Sequence, residues 1–202
     1  MHSLGVAGGI GSGKSAFARR LGAHAGVRVV YADDVAKRLM AEHPGVRAAL
    51  VDRFGPETYT AAGDLDRAHL AGRVFGDTEA LAALNAVVHP AVREALLEEL
   101  DRARSEGVRL FVYEAALIFE TGGDEVLDEV VVVDAPVETR VARVVARDGV
   151  DRAAVLARMR HQIDPAEARR RADRVVENDG DLVALHAAAD ALAADVLDRP
   201  AP

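Results

Sequence analysis

Residues 8–15 read Gly-Gly-Ile-Gly-Ser-Gly-Lys-Ser, which fits Gly-x-x-x-x-Gly-Lys-Ser with extra glycines inside it. That spacing is a P-loop, and its chemistry is the holding of a nucleoside triphosphate by its β- and γ-phosphates. Glycine opens backbone angles closed to other residues, so successive N–H groups can turn inward around phosphate oxygens. Lys14 is placed to reach the terminal phosphates, and the Ser15 hydroxyl to ligate Mg²⁺. A dinucleotide-binding glycine pattern starting at Gly9 is excluded, because it needs glycine where Lys14 stands. Lys14 and Lys37 are the only lysines in a chain that otherwise uses arginine, so a lysine in this loop points to a specific role.

Phosphoryl transfer also needs a carboxylate to position and deprotonate the acceptor, and cations to hold spreading negative charge. Asp33 and Asp34 directly follow an apolar run and are the candidates for the carboxylate; either could instead cap a helix over Val35–Met40. Glu114 ends the run Leu110-Phe111-Val112-Tyr113, a pattern that supports Mg²⁺ directly or through water; a solvated strand end is the plain alternative. Arginines crowd the segment 140–174, where most must form a solvated helix face. Arg140, Arg143 and Arg147, three and four apart, share one helical face and are the best candidates to cover the phosphates. His89, before Pro90, reads first as a helix-start residue.

These groups need elements to position them. Leu4–Ala7, Val27–Tyr31, Leu110–Tyr113 and Val130–Val133 are short, apolar and rich in β-branched residues, as strands of a parallel sheet are. Arg174–Val176 is a weaker fifth. Helical patterns between them predict an open, doubly wound α/β sheet with ligands at the carboxyl ends of its strands. The stretch from about Ala41 to Gly107 is too long for one crossover. It carries helix signals at Arg67–Val74, at Glu79–Val88 and from Pro90 to about Ser105, and reads as a helical insertion. Asp164-Pro165-Ala166-Glu167 is a capping box with proline in the first turn. The tail at 199–202 is expected to fray.

The 202 residues suffice for one sizeable α/β core. A net charge of −8 argues against a nucleic-acid partner. The absence of cysteine removes disulfides, thiolate nucleophiles and Cys-ligated metals, and the histidines show no metal-ligand spacing. No signal-peptide plan is visible, and no apolar run approaches the roughly 20 residues that span a bilayer. The expectation is a cytoplasmic protein with no membrane partner, taken as a monomer.

In order and spacing the chain resembles the dephospho-CoA kinase family. The resemblance runs through Gly8–Ser15, Ala32-Asp33, Phe54-Gly55, Leu65-Asp66-Arg67 with Leu70, Val74-Phe75 and His89-Pro90. It continues through Leu117-Ile118-Phe119-Glu120, Arg143, Arg147-Asp148-Gly149, Gln162, Ala172-Asp173, and Asn178 with Gly180. It implies ATP as phosphoryl donor, Mg²⁺, and the ribose 3′-hydroxyl of dephospho-CoA as acceptor, the last step of coenzyme A biosynthesis. The implied fold is a three-layer P-loop kinase. Residues 1–40, 108–139 and 172–202 would form the nucleotide-binding core, 41–107 a helical acceptor-binding insertion, and 140–171 an arginine-rich helical lid. Asp33 becomes the catalytic base, with Lys14, Arg143 and Arg147 as catalytic cations. The nucleotide would be held by Gly9, Gly11, Ser12, Gly13, Lys14, Ser15, Ala16 and Asn178, the last near the adenine. His89 and the Phe119 region fall on the acceptor side, and Ser15 on the Mg²⁺ side.

Several positions depart from the family pattern. Ala16 stands for a common Thr, Tyr31 for an acid, Ala116 for a proline, and Arg140 for Gln, so no role is carried onto Arg140. The nearest alternative is another small-molecule or nucleotide P-loop kinase. A nucleotide-gated switch is a different class: Asp52-Arg53-Phe54-Gly55 matches Asp-x-x-Gly, but no Asn-Lys-x-Asp element can exist with lysines at 14 and 37 alone.

Overall fold

The computed structural model describes residues 1–74 and 76–199. Phe75 of the resemblance and residues 200–202 of the tail lie outside the described residues. Arg199, expected to fray, donates to Asp195 at 2.8 Å. The chain forms two compact units, Met1–Tyr31 with Leu100–Pro202, and Ala32–Glu99.

The first unit holds a parallel sheet of β1 (His2–Ala7), β2 (Val27–Tyr31), β3 (Leu110–Glu114), β4 (Glu129–Asp134) and β5 (Arg174–Glu177), in the order β2-β3-β1-β4-β5. The three central strands are buried almost throughout, which is why their sequences are continuous apolar runs rather than alternating ones. On one face, Leu4, Val6, Val112, Val131 and Val133 pack against Phe17 and Leu21 of α1 (Lys14–Leu21) and Leu185, Ala189 and Leu192 of α9 (Leu182–Leu197). On the other face a Cβ at Gly5 would stand 2.5 Å from Ile118, so a side chain there would have to displace Ile118. α6 (Val137–Asp148), α7 (Arg152–Met159) and α8 (Pro165–Arg171) complete this unit. Asp164 caps α8 as its capping box requires, accepting from Ala166 and Glu167 N–H. The register places Val6, Tyr31 and Glu114 in one row at the carboxyl ends of their strands.

The second unit is helical: α2 (Ala32–Glu42), α3 (Pro44–Phe54), α4 (Arg67–Val74) and α5 (Thr78–Ser105) up to Glu99. Val46, Leu50, Phe54 and Leu70 form its core, with Leu39, Met40, Leu84 and Val87 packed on them. Tyr59 donates to Met40 O at 2.7 Å, and the Arg47 guanidinium lies 4.0 Å over its ring.

Three local expectations change, and the Asp52–Gly55 match to a switch pattern stays a chance one. Pro90 starts no helix; it lies inside the single helix Thr78–Ser105, so His89 is an interior residue. The apolar side Ala80, Ala83, Leu84, Val87 and Ala91 packs on the unit's core across the proline, and that packing outweighs the one N–H that proline lacks. This helix also reaches membrane-spanning length and mean hydropathy, contrary to the count of apolar runs. Asn85, His89, Arg93 and Glu94 interrupt it, and its apolar stripe has a core to pack on. The second-strand helix begins at Ala32 rather than Val35, so Asp33 and Asp34 are first-turn residues and neither is the N-cap. Asp52–Gly55 ends α3, with Gly55 as its C-cap at φ 93°, a helix stop rather than a switch.

Candidate active site

The P-loop leaves β1 and enters α1 as the motif demands. Ser12 N–H donates to Gly9 O at 3.0 Å, closing a turn, and Ala16 and Phe17 N–H both bond Gly13 O at 3.0 Å. Among the described residues the N–H groups of Gly11, Gly13, Lys14 and Ser15 have no acceptor, so they form the open donor set of a helix N-terminus. Gly13 stands at φ 100°, and a Cβ there would meet Asn178 Nδ2 at 2.2 Å. Only glycine satisfies both constraints.

Glu114 is buried at the end of β3, which removes the solvated strand end as a reading. Its Oε1 accepts from Ser15 Oγ at 3.1 Å and lies 3.6 Å from Lys14 Nζ. A buried carboxylate is costly unless cations and donors face it, and here both come from the loop. A hydroxyl and a carboxylate oxygen converging in this way are the hard oxygen donors that Mg²⁺ takes, usually with several waters retained. The residues fit the ion. Among the described residues no group of three or more acidic or histidine side chains forms a dedicated metal cage.

Behind the loop, α6 and the end of β5 supply the support. Asn178 is buried and donates from Nδ2 to Ser12 O at 2.7 Å, while its own N–H bonds Asp134 O at 2.7 Å. Arg143 reaches Ser12 O at 3.5 Å and the carbonyls of Asn178 and Gly180 at 3.2 and 3.5 Å. Arg140 is 4% exposed and donates from Nε to Ile10 O at 3.0 Å. Burial pushes its guanidinium below the ordinary arginine value, with the Asp134 carboxylate opposing. Arg147, one turn beyond Arg143, is exposed and held by Asp148 at 2.6 and 3.0 Å. Thus the arginine face splits three ways: a buried brace, a hinge between loop and β5, and a surface pair. A charge run alone carries no signal for which arginine is buried.

Sequence reasoning assigned no role to Gln162 and missed that of Glu120. Gln162 Oε1 accepts from Ile10 N–H at 2.9 Å, and Glu120 Oε1 accepts from Ile163 N–H at 2.7 Å. Phe119 is buried, with the Arg171 guanidinium stacked 4.7 Å from its ring centre. It lines a narrow cleft with Gly8, Gly9, Arg140, Gln162 and Ile163.

In the second unit Asp33 and Asp34 are both exposed. Asp34 pairs with Lys37 at 2.8 Å, whereas Asp33 has no hydrogen-bond or ion-pair partner among the described residues. His89, also in this unit, is half-buried on α5.

A five-stranded parallel sheet whose central strand delivers a P-loop onto a buried acidic side chain is the site of a P-loop phosphotransferase. Comparison with known proteins narrows the class. The sequence model of the dephospho-CoA kinase family matches residues 2–184. A dephospho-CoA kinase of Salinibacter ruber is 50% identical over 182 residues, covering 90% of this chain and 91% of that protein. The crystal structure of TT1252 from Thermus thermophilus is 41% identical with a TM-score of 0.78, covering 96% of this chain and 97% of that one. A dephospho-CoA kinase from Campylobacter jejuni shares the fold at TM-score 0.65 and 22% identity, over 96% of this chain and 97% of its own. The chain belongs to the dephospho-CoA kinase family.

Proposed function

We propose that the protein phosphorylates the ribose 3′-hydroxyl of dephospho-CoA with ATP, giving CoA and ADP, in the cytoplasm. The observation that carries this reading is the convergence of Lys14 and Ser15 on buried Glu114 in a chain of this family. In the reaction the 3′-oxygen bonds to the γ-phosphorus, and the bond from that phosphorus to the β,γ-bridging oxygen breaks. ADP leaves with the electron pair, and the hydroxyl proton passes to Asp33. Asp33 is the better base of its pair, because its carboxylate is unengaged while Asp34 is held by Lys37.

Lys14 and the open loop N–H groups hold the β- and γ-phosphates and gain strength as charge moves onto the leaving oxygen. Ser15 would hold Mg²⁺ directly and Glu114 through water. When bound, the ion neutralises charge on the β- and γ-oxygens. Asn178 and Arg143 act on the same site from behind, fixing the Ser12 carbonyl so that the adjoining N–H groups face the ligand. His89 and Phe119 belong to the acceptor side of this reading. Of the expected lid 140–171, α6 braces the loop through Arg140 and Arg143, so the part past α6, residues 149–171, serves as the cover that excludes water once both substrates are bound.

An acceptor panel tests the reading. With ATP, ADP release should follow addition of dephospho-CoA and be absent with CoA, whose 3′-hydroxyl is already esterified. Turnover of shikimate or a nucleoside monophosphate, with none on dephospho-CoA, would assign the chain to a different acceptor.

A further inference from the structure

Ile10 is the one P-loop residue gripped on both of its backbone polar groups by distant side chains. Its carbonyl takes Arg140 Nε from α6 at 3.0 Å, and its N–H gives to Gln162 Oε1, just past α7, at 2.9 Å. Its side chain is gripped too, packing against the small cluster of Val141, Val144 and Val155 with Val150, Leu156 and Met159. Gln162 is seated in turn, because the next residue, Ile163, gives its N–H to Glu120 after β3 at 2.7 Å. The Arg140 guanidinium lies close against Gly9: a Cβ there would stand 2.0 Å from its Nη2.

The two contacts fix both peptide groups of Ile10 and so the loop's path at this point. A loop that must present its N–H groups inward, at Gly11 and Gly13–Ser15, cannot let the preceding peptide rotate. The neighbouring open donors gain their direction from a fixed Ile10. We propose that Arg140 and Gln162 are positioning residues that clamp the peptide groups of Ile10, set the phosphate loop for the nucleotide, and tie nucleotide binding to the seating of the segment after α7. The proposal rests on the phosphotransferase reading above only for its catalytic readout, since ATP binding reports on the loop whatever the acceptor is.

Side-chain length supplies the test. In glutamine the amide nitrogen is as many bonds from Cα as Nε is in arginine, so Arg140→Gln keeps a donor for Ile10 O. Methionine has the same length with no N–H donor, so Arg140→Met removes it; Gln162→Met likewise removes the acceptor. Titration with ATP and Mg²⁺, together with the Ile10 amide resonance, reads the loop directly; dephospho-CoA turnover is measured in parallel. Arg140→Met and Gln162→Met should each weaken ATP binding about tenfold, the scale of one lost buried hydrogen bond. The KM for dephospho-CoA should hold, and Arg140→Gln should recover most of the ATP affinity. In Gln162→Met the Ile10 amide proton should move upfield and exchange faster. Gln162 is only half-buried, so its variant stays informative should Arg140→Met fail to fold. ATP affinity within about twofold of the parent in Gln162→Met, or an unmoved Ile10 amide, would overturn the proposal. Tighter ATP binding there would also overturn it, since it would mean that Gln162 competes with the phosphates. Loss of turnover in the parent with these ATP effects intact would refute the assigned acceptor and leave the clamp standing.

Discussion

The two units solve opposite problems. In Met1–Tyr31 with Leu100–Pro202, the phosphate loop is fixed by directed polar contacts: Asn178 and Arg143 on Ser12 O, Arg140 and Gln162 on Ile10, and buried Glu114 facing Lys14. In Ala32–Glu99, an apolar helical core of Val46, Leu50, Phe54 and Leu70 carries an exposed, unengaged Asp33 at its first turn. A triphosphate is the same in every enzyme that uses one, so its half of a site profits from being fully pre-set. The acceptor differs between enzymes, and on the proposed reading Asp33, which would meet it, stands unengaged on an exposed turn. Under the proposed function the triphosphate falls to the loop of the first unit, and the general base and His89 fall to the second.

Substitutions can break that division. Asp33→Asn should lower kcat by about 10²–10⁴, the usual worth of a general base, with ATP affinity nearly unchanged. Asp34→Asn is the control, and a loss under about threefold at position 33 would remove Asp33 from the role. Lys14→Ala should cost about 10²–10³ in kcat/KM, as removal of a transition-state donor does, and should also weaken ATP binding. An unchanged rate at saturating ATP would contradict the donor half. The contrast between those two variants, one affecting rate alone and one affecting both, is the sharper result.

Leu50→Ala removes a fully buried side chain from the second unit and should cost about 2–5 kcal/mol of stability. Calorimetry should show a lowered transition while ATP binding at 25 °C persists. Loss of both would mean the units do not fold separately. The smallest effect belongs to the α1–α9 surface. Hydrogen bonds from Arg20 and His24 hold the Asp190 carboxyl at about 2, below its ordinary 3.8. Because the folded value is the depressed one, this pair stabilises the fold above about pH 4 and its contribution disappears as pH falls toward 2. Asp190→Asn should therefore lower Tm by about 1–3 °C at neutral pH, with the difference vanishing near pH 2 and shrinking in high salt. A pH-independent difference would assign the effect to packing.

Much of this was legible from residue order. The strands announce themselves because a parallel sheet buried on both faces leaves no polar alternation. The P-loop is visible because its glycines and Lys14 are the only residues that meet its backbone and charge demands. Pro90 misled, since proline usually marks a helix start, yet the stripe Ala80, Ala83, Leu84, Val87, Ala91 runs through it at helical spacing and was the available signal. Burial of Arg140 was not legible. Its neighbours in sequence describe a solvated face, and what buries it is a backbone carbonyl 130 positions away. Gln162 and Glu120 were hidden for the same reason, because their partners are main-chain N–H groups, which every residue except proline offers.

The most direct measurement is the identity of the product. With ATP, Mg²⁺ and dephospho-CoA, mass spectrometry should find one added phosphoryl group, and ³¹P NMR should place it as a monoester on the ribose 3′-oxygen, with one ADP formed per molecule. ADP formed without a new phosphomonoester, or a phosphate at any other position of the acceptor, would contradict the assignment.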